Sequence, residues 1–139
     1  MARERYLADT SVFSRLSKPT VAAAFAPLAA EGAVAVCAPV MFELGFAARS
    51  ARDYAALMDG LTSFASVPTT DGDHRRALDI QSDLAKRSQH RAVSLVDALV
   101  AAIAETRDLT VLHYDADFEL IAQFTGQPQQ WIVSRGLAD

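Results

Sequence analysis

The sequence predicts an α/β domain in three layers: a central, mostly parallel β-sheet with helices packed on both faces. Three observations carry this. Short apolar runs alternate with longer helical stretches, the order that wraps a parallel sheet. The run "AVAVCAP" is apolar without interruption, as a strand covered on both faces must be. The stretch "SLVDALVAAIAE" is apolar almost all round, which marks a central helix rather than a solvated one.

The elements follow in order. "RYLAD" closes a short apolar run that suits a first strand. "TVAAAFAPLAAEG" reads as a helix stopped by Gly32. After the strand "AVAVCAP", Pro39 sits at a favoured first helical position and opens "PVMFELGFAARS". "ARDYAALMDGLTSF" is a further helix, and "ASVPTT" a short edge-type strand carrying Pro68. "DGDHRRALDIQSDLAKRS" keeps Leu78, Ile80 and Leu84 among charges, so one face is solvated. The buried helix then leads into the strand "TVLHY", the helix "DFELIAQFTG" ended by Gly126, and a last strand "QQWIVS". No repeat or linker divides residues 1–139, which read as a single domain.

Composition narrows the function. The 51% apolar and 22% charged shares are those of a globular domain. A net charge of -4 does not announce a nucleic-acid binder. The lone Cys37 excludes an internal disulfide and a cysteine-based zinc site, as expected of a reducing cytoplasm. "MARERYLADTS" has no apolar stretch fit for a signal peptide. Val21 to Val40 is apolar, but Pro27, Glu31, Gly32 and Pro39 break it into two core elements, so no membrane span is expected.

The acids are the informative residues. Twelve aspartates stand against five glutamates, and aspartate is a poor helix-interior residue that belongs at caps, turns or sites. Asp9 follows the first strand, and Asp115 and Asp117 follow a later one, in "VLHYDADFELIA". Glu43 lies among Val40, Met41, Phe42, Leu44 and Phe46, on a helix otherwise fit for burial, and Asp97 begins the buried helix. Each has an ordinary structural explanation. Asp97 completes a capping box with Ser94, Asp9 caps the turn from Ser11, and Asp115 and Asp117 suit a helix start. Those explanations do not account for five acids falling on one sheet edge, where sites of parallel sheets form. Carboxylates crowded without a lysine imply a hard divalent cation, Mg²⁺ or Mn²⁺. By contrast, Asp71 and Asp73 read as turn and cap residues, Asp53, Asp59, Asp79 and Asp83 as solvated, His74 and His90 as surface residues, and His113 as packed.

Together "LADTS", "FELGFAAR", "DALVAAIAE" and "LHYDADFELIA" resemble the PIN-domain ribonucleases, and more narrowly the VapC-type toxins of bacterial toxin–antitoxin pairs. The likeness spans essentially the whole chain. It implies a PIN-like parallel sheet and a Mg²⁺- or Mn²⁺-dependent endoribonuclease. It further implies a homodimer held inactive by a cognate VapB-type antitoxin. On that pattern Asp9, Glu43, Asp97 and Asp115 match the acidic quartet, Asp117 is the additional acid, and Thr10 and Ser11 fill the hydroxyl positions. Where many relatives carry Thr or Ser two residues before Asp115, this chain carries His113; the segment before Asp97 also lacks a common glycine.

The chemistry stands without the family. Asp9, Asp97 and Asp115, with Asp117 beside them, would hold the cation, Glu43 acting partly through water, for attack of water on a phosphodiester of RNA. Arg75, Arg76, Lys86, Arg87 and Arg91 form an exposed basic stretch leading to Asp97 and are the candidate RNA contacts. Phosphoaspartyl hydrolases and receiver domains need a late strand-end lysine, and the only lysines are Lys18 and Lys86. The alternative to an enzyme is an inactive PIN-like module that binds RNA or protein.

Overall fold

The computed structural model describes residues 3–139; the first two residues of the N-terminal stretch lie outside them. Five strands of the described residues form one sheet: β1 (Tyr6–Ala8), β2 (Val34–Cys37), β3 (Ala65–Val67), β4 (Thr110–His113) and β5 (Gln129–Trp131). Their order is β3-β2-β1-β4-β5, and every pairing is parallel. β1 is flanked by β2 on one side and β4 on the other, so the chain reverses its direction of travel across the sheet there. The crevice at the carboxyl ends of β1 and β4 is therefore the switch point at which such sheets bind ligands.

Among the described residues seven helices cover the sheet: α1 (Thr10–Phe13), α2 (Pro19–Ala30), α3 (Ala38–Phe46), α4 (Ala51–Leu61), α5 (Asp71–Ala85), α6 (Leu95–Thr106) and α7 (Asp117–Thr125). Strand side chains alternate between faces. Leu7 and Val111 join α5, α6 and α7 in one core, while Ala8 and Leu112 join Val12, Val21 and Phe25 of α1 and α2 in the other. α6 lies at the centre of the larger core. From Asp97 to Ala104 it is buried without a break, and its Leu99, Val100 and Ile103 each contribute ~1.5–3 kcal/mol of apolar burial. α7 ends at Gly126, whose φ of 69° is the left-handed cap that glycine adopts without strain.

Two sequence expectations change. α3, read as fit for burial, buries only Val40 and Leu44, and Phe42 and Phe46 are 80% and 87% exposed. The helix is short and packs by one stripe, with Met41 at its edge, so Phe42 and Phe46 face outward. Asp73, read as an ordinary cap residue, is fully buried. Its carboxylate completes a capping box with Thr70, accepts from Thr106 Oγ1 at 2.8 Å and pairs with Arg107 Nη1 at 3.2 Å. Burial pushes this carboxyl up, but the bonds from Thr70, Thr106 and Arg107 outweigh it and hold the carboxyl below its ordinary value. The pair ties the start of α5 to the end of α6.

Candidate active site

Asp9 leaves β1 as the cap of α1, and its Oδ2 accepts from the backbone N–H of Ser11 at 3.0 Å and from Ser11 Oγ at 2.7 Å. Ser11 Oγ in turn accepts from the backbone N–H of Tyr114 at 2.8 Å, which locks the turn after β1 to the turn after β4. The other oxygen of Asp9, Oδ1, is buried with no hydrogen-bond partner, as is the hydroxyl of Thr10. A buried carboxylate oxygen left unbonded is costly, and it is the group a cation would satisfy.

Asp97 comes from the first turn of α6. Ser94 Oγ caps its backbone N–H at 3.1 Å, but the reciprocal half of the expected capping box does not form. The residue is only 6% exposed, and its carboxyl lies in the crevice beside that of Asp117. Asp115 follows β4. Its Oδ1 accepts from the Asp117 backbone N–H at 2.9 Å, fixing the start of α7, and its own N–H donates to His113 Nδ1 at 3.0 Å. His113 is fully buried and also meets Gln129 Oε1 through Nε2 at 2.6 Å. Burial lowers its pKa, so the imidazole is neutral and can accept at Nδ1.

These elements bring together Asp9, Asp97 and Asp115, which offer oxygens all within 4.8 Å of one another. Three carboxylates this close can reach one hard cation such as Mg²⁺, which takes oxygen ligands. The electrostatics agree. Burial raises Asp9, and the charges of Asp115 and Glu43 add to it. Asp97 is pushed up to about 9, first by burial, then by hydrogen bonding to the Asp117 carboxyl and by the charges of Asp9 and Asp115. Carboxylates that resist ionisation side by side form a site that stores repulsion until a cation enters. Asp117 thus adjoins Asp97, while Glu43, half-buried on α3, is near enough for Asp9 to feel its charge but stands outside the three-oxygen cluster.

The predicted basic stretch is less uniform. Arg76 is engaged by Glu105, at 2.9 and 3.2 Å, near the end of α6 remote from Asp97. Lys86 pairs with Asp83 at 3.4 Å, and Arg87 lies 4.9 Å over the ring of Phe124. Arg75 and Arg91 are exposed. Sequence reasoning passed over Arg15 and Arg135, which adjoin the acidic crevice; no local pattern marks either.

The model of the PIN domain family matches residues 6–123. The chain belongs to the PIN-domain family. Over 135 residues this PIN domain is 50% identical to Ribonuclease VapC51 of Mycobacterium tuberculosis, covering 97% of the chain and 98% of the relative. The fold superposes on the DNA-bound VapBC of Salmonella typhimurium with a TM-score of 0.76 at 19% identity, over 94% of this chain and 100% of that one. It also matches VapBC-5 of Mycobacterium tuberculosis, from the VapBC family of toxin–antitoxin systems. There the TM-score is 0.60 at 24% identity, with 93% and 98% covered.

Proposed function

We propose that this PIN domain is a divalent-metal-dependent endoribonuclease, the toxin of a toxin–antitoxin pair. The observation that carries it is the meeting of the Asp9, Asp97 and Asp115 carboxylates within 4.8 Å in a strand-end crevice, with Asp9 Oδ1 buried and unbonded. The name of Ribonuclease VapC51, half identical along nearly the full chain, supports RNA as the substrate class.

Asp9, Asp97 and Asp115 are the residues that would hold Mg²⁺ or Mn²⁺, with Asp117 beside them. The bound cation supplies charge neutralisation at the phosphodiester and a more acidic water for in-line attack. The chain's own residues do the rest. Ser11 holds Asp9 in place through two bonds to Oδ2 and leaves Oδ1 to the crevice. The Asp117 amide holds Asp115 through Oδ1. Glu43, half-buried on α3 and outside the three-oxygen cluster, would act on the site through water, and Asp9 or Asp97 would accept the proton of the attacking water. Burial of Asp9 and Asp97 keeps the local dielectric low, which strengthens each of these interactions.

The partner that fits is a VapB-type antitoxin, supported by the solved VapBC neighbours. Phe42, Phe46 and Tyr54 leave apolar surface exposed on α3 and α4, as a protein-binding face does. Among the described residues no helix is long and apolar enough to cross a membrane.

The test is cleavage of a structured RNA by the purified protein, with Mg²⁺ or Mn²⁺ and with EDTA. Cleavage should require the cation and disappear in Asp9→Asn. Full activity retained by Asp9→Asn, Asp97→Asn and Asp115→Asn alike would overturn the assignment.

A further inference from the structure

A second hollow, of about 360 Å³, opens beside the acidic crevice and shares Asp115 as a wall. It is lined by the turns that follow β1, β4 and β5, so it lies on the same edge of the sheet. Ser11 and Arg15 come from the first turn, Asp115 from the second, and Arg135 from the third, with Trp131 and Asp139 completing it.

Two guanidinium groups line it. Arg15 is pinned: Nε donates to the Ala138 carbonyl at 3.1 Å and Nη1 to the Ser11 carbonyl at 3.2 Å, with the group 4.8 Å over the Tyr114 ring. These partners fix its position without cancelling its charge, and they use two of its five N–H donors. Arg135 is exposed and lies 5.7 Å over the ring of Trp131, which stands edge-on to Tyr114 at 5.2 Å. Neither arginine forms an ion pair among the described residues, whereas Arg5, Arg76, Lys86 and Arg107 do. The hollow also holds negative charge. The Asp139 carboxylate is engaged by the Tyr114 hydroxyl at 2.7 Å, and Asp115 is a cation ligand in the reading above.

We propose that Arg15 and Arg135 form a subsite for a backbone phosphate of the RNA strand, next to the phosphodiester placed at the acidic cluster. This rests on the ribonuclease reading for the strand's identity. A guanidinium fork fits phosphate oxygens, and arginine retains its charge at any working pH. One pinned and one exposed guanidinium beside the acidic cluster give a polyanion a route to a protein whose net charge is -4. With Asp115 and Asp139 in its wall, the subsite holds a phosphate delivered by a strand rather than capturing free phosphate.

The experiment measures anisotropy of a fluorescein-labelled, mixed-sequence 12-nucleotide single-stranded RNA. The full chain carries Asp9→Asn to prevent cleavage and is studied in Mn²⁺ across a range of salt. Adding Arg135→Ala should weaken binding about 5- to 10-fold and reduce the slope of log Kd on log salt by about 0.7, the loss of one single-strand phosphate contact. Arg135→Lys should restore most of the slope, and Arg15→Met should weaken binding further if its Tm holds. Unchanged affinity and slope in Arg135→Ala would overturn the subsite, and that position, exposed and outside the core, does not put the fold at risk. RNA binding that responds to Arg135 in a protein whose unmutated form cleaves nothing would sink the ribonuclease reading and leave the subsite standing. Normal cleavage with no response to Arg135→Ala would do the reverse.

Discussion

The imidazole of His113 accepts the backbone N–H of Asp115 at Nδ1, 3.0 Å away, while its Nε2 meets Gln129 Oε1 at 2.6 Å. An amide can only donate, so Nδ1 carries no proton and Nε2–H donates to Gln129. The ring thereby connects β5 to the turn that aims Asp115 at the crevice. His113→Leu should lower Mn²⁺ affinity ~10-fold, the usual effect of losing a group that orients a ligand. His113→Asn, which offers an acceptor in the place of Nδ1, should restore most of it. Calorimetric titration with Mn²⁺ compares the two, and equal affinity in all three proteins would show that the ring is merely packed.

The acidic crevice should make the metal-free protein less stable as pH rises. Asp97 is pushed up to about 9 and Asp9 is also raised, both chiefly by burial, so the folded state binds protons more tightly than the unfolded chain. That contribution is fully present below about pH 4, the ordinary aspartate range, and is lost as pH climbs towards the folded value near 9. Without metal, Tm should fall between pH 5 and pH 9, and Asp97→Asn should flatten the fall. At pH 8 that variant should gain on the order of 2 kcal/mol, roughly 7 °C for a domain of this size. Scanning calorimetry in EDTA measures this, and a Tm that rises over the same interval in the parent protein would contradict it.

Asp73 and Arg107 form the buried tie between α5 and α6. Asp73→Ala leaves the partly buried Arg107 guanidinium without its carboxylate and removes the capping box, costing about 2–4 kcal/mol, or on the order of 10 °C in Tm. Asp73→Asn keeps an acceptor for Thr70 and Thr106 and should lose less. Chemical denaturation of both variants checks the order, and equal stability of all three proteins would remove the tie from the account.

The contrast between Asp73 and Asp97 shows how far the sequence could be read. Both stand three residues after a helix-capping hydroxyl, Thr70 or Ser94, and local pattern gives both the same role. In the structure Asp73 completes its box while Asp97 does not, because the start of α6 faces the switch point and the start of α5 faces Thr106 and Arg107. Strand and helix order was legible because burial imposes its period on local sequence. The meeting of Asp9, Asp97 and Asp115 was legible only through their shared place at strand or helix ends. Arg15 and Arg135 were not, since residues 120 apart share no local signal and only the pairing of β4 with β5 and β1 brings their turns together. The outward rings of Phe42 and Phe46 were missed for a similar reason, as apolar type alone does not say which stripe of a short helix is covered.

The basic stretch before α6 should divide in its effect on RNA. Arg76 is committed to Glu105, so Arg76→Ala should leave KM for RNA within about 2-fold and cost at most ~1 kcal/mol of stability. Arg91→Ala, at an exposed position in the segment before Asp97, should raise KM and reduce the salt dependence by about one phosphate contact. Steady-state cleavage at several salt concentrations separates them, and a larger KM effect from Arg76 would reverse this assignment.

Mn²⁺ titration followed by electron paramagnetic resonance tests, without any substrate, whether Asp9, Asp97 and Asp115 hold a cation. The parent protein should take up Mn²⁺ with loss of the free-ion signal. Asp9→Asn, Asp97→Asn and Asp115→Asn should each weaken uptake ~10-fold or more, and Asp53→Asn, on an exposed helix face, should not. Undiminished uptake by the three site variants, or uptake that fails equally in Asp53→Asn, would contradict the account.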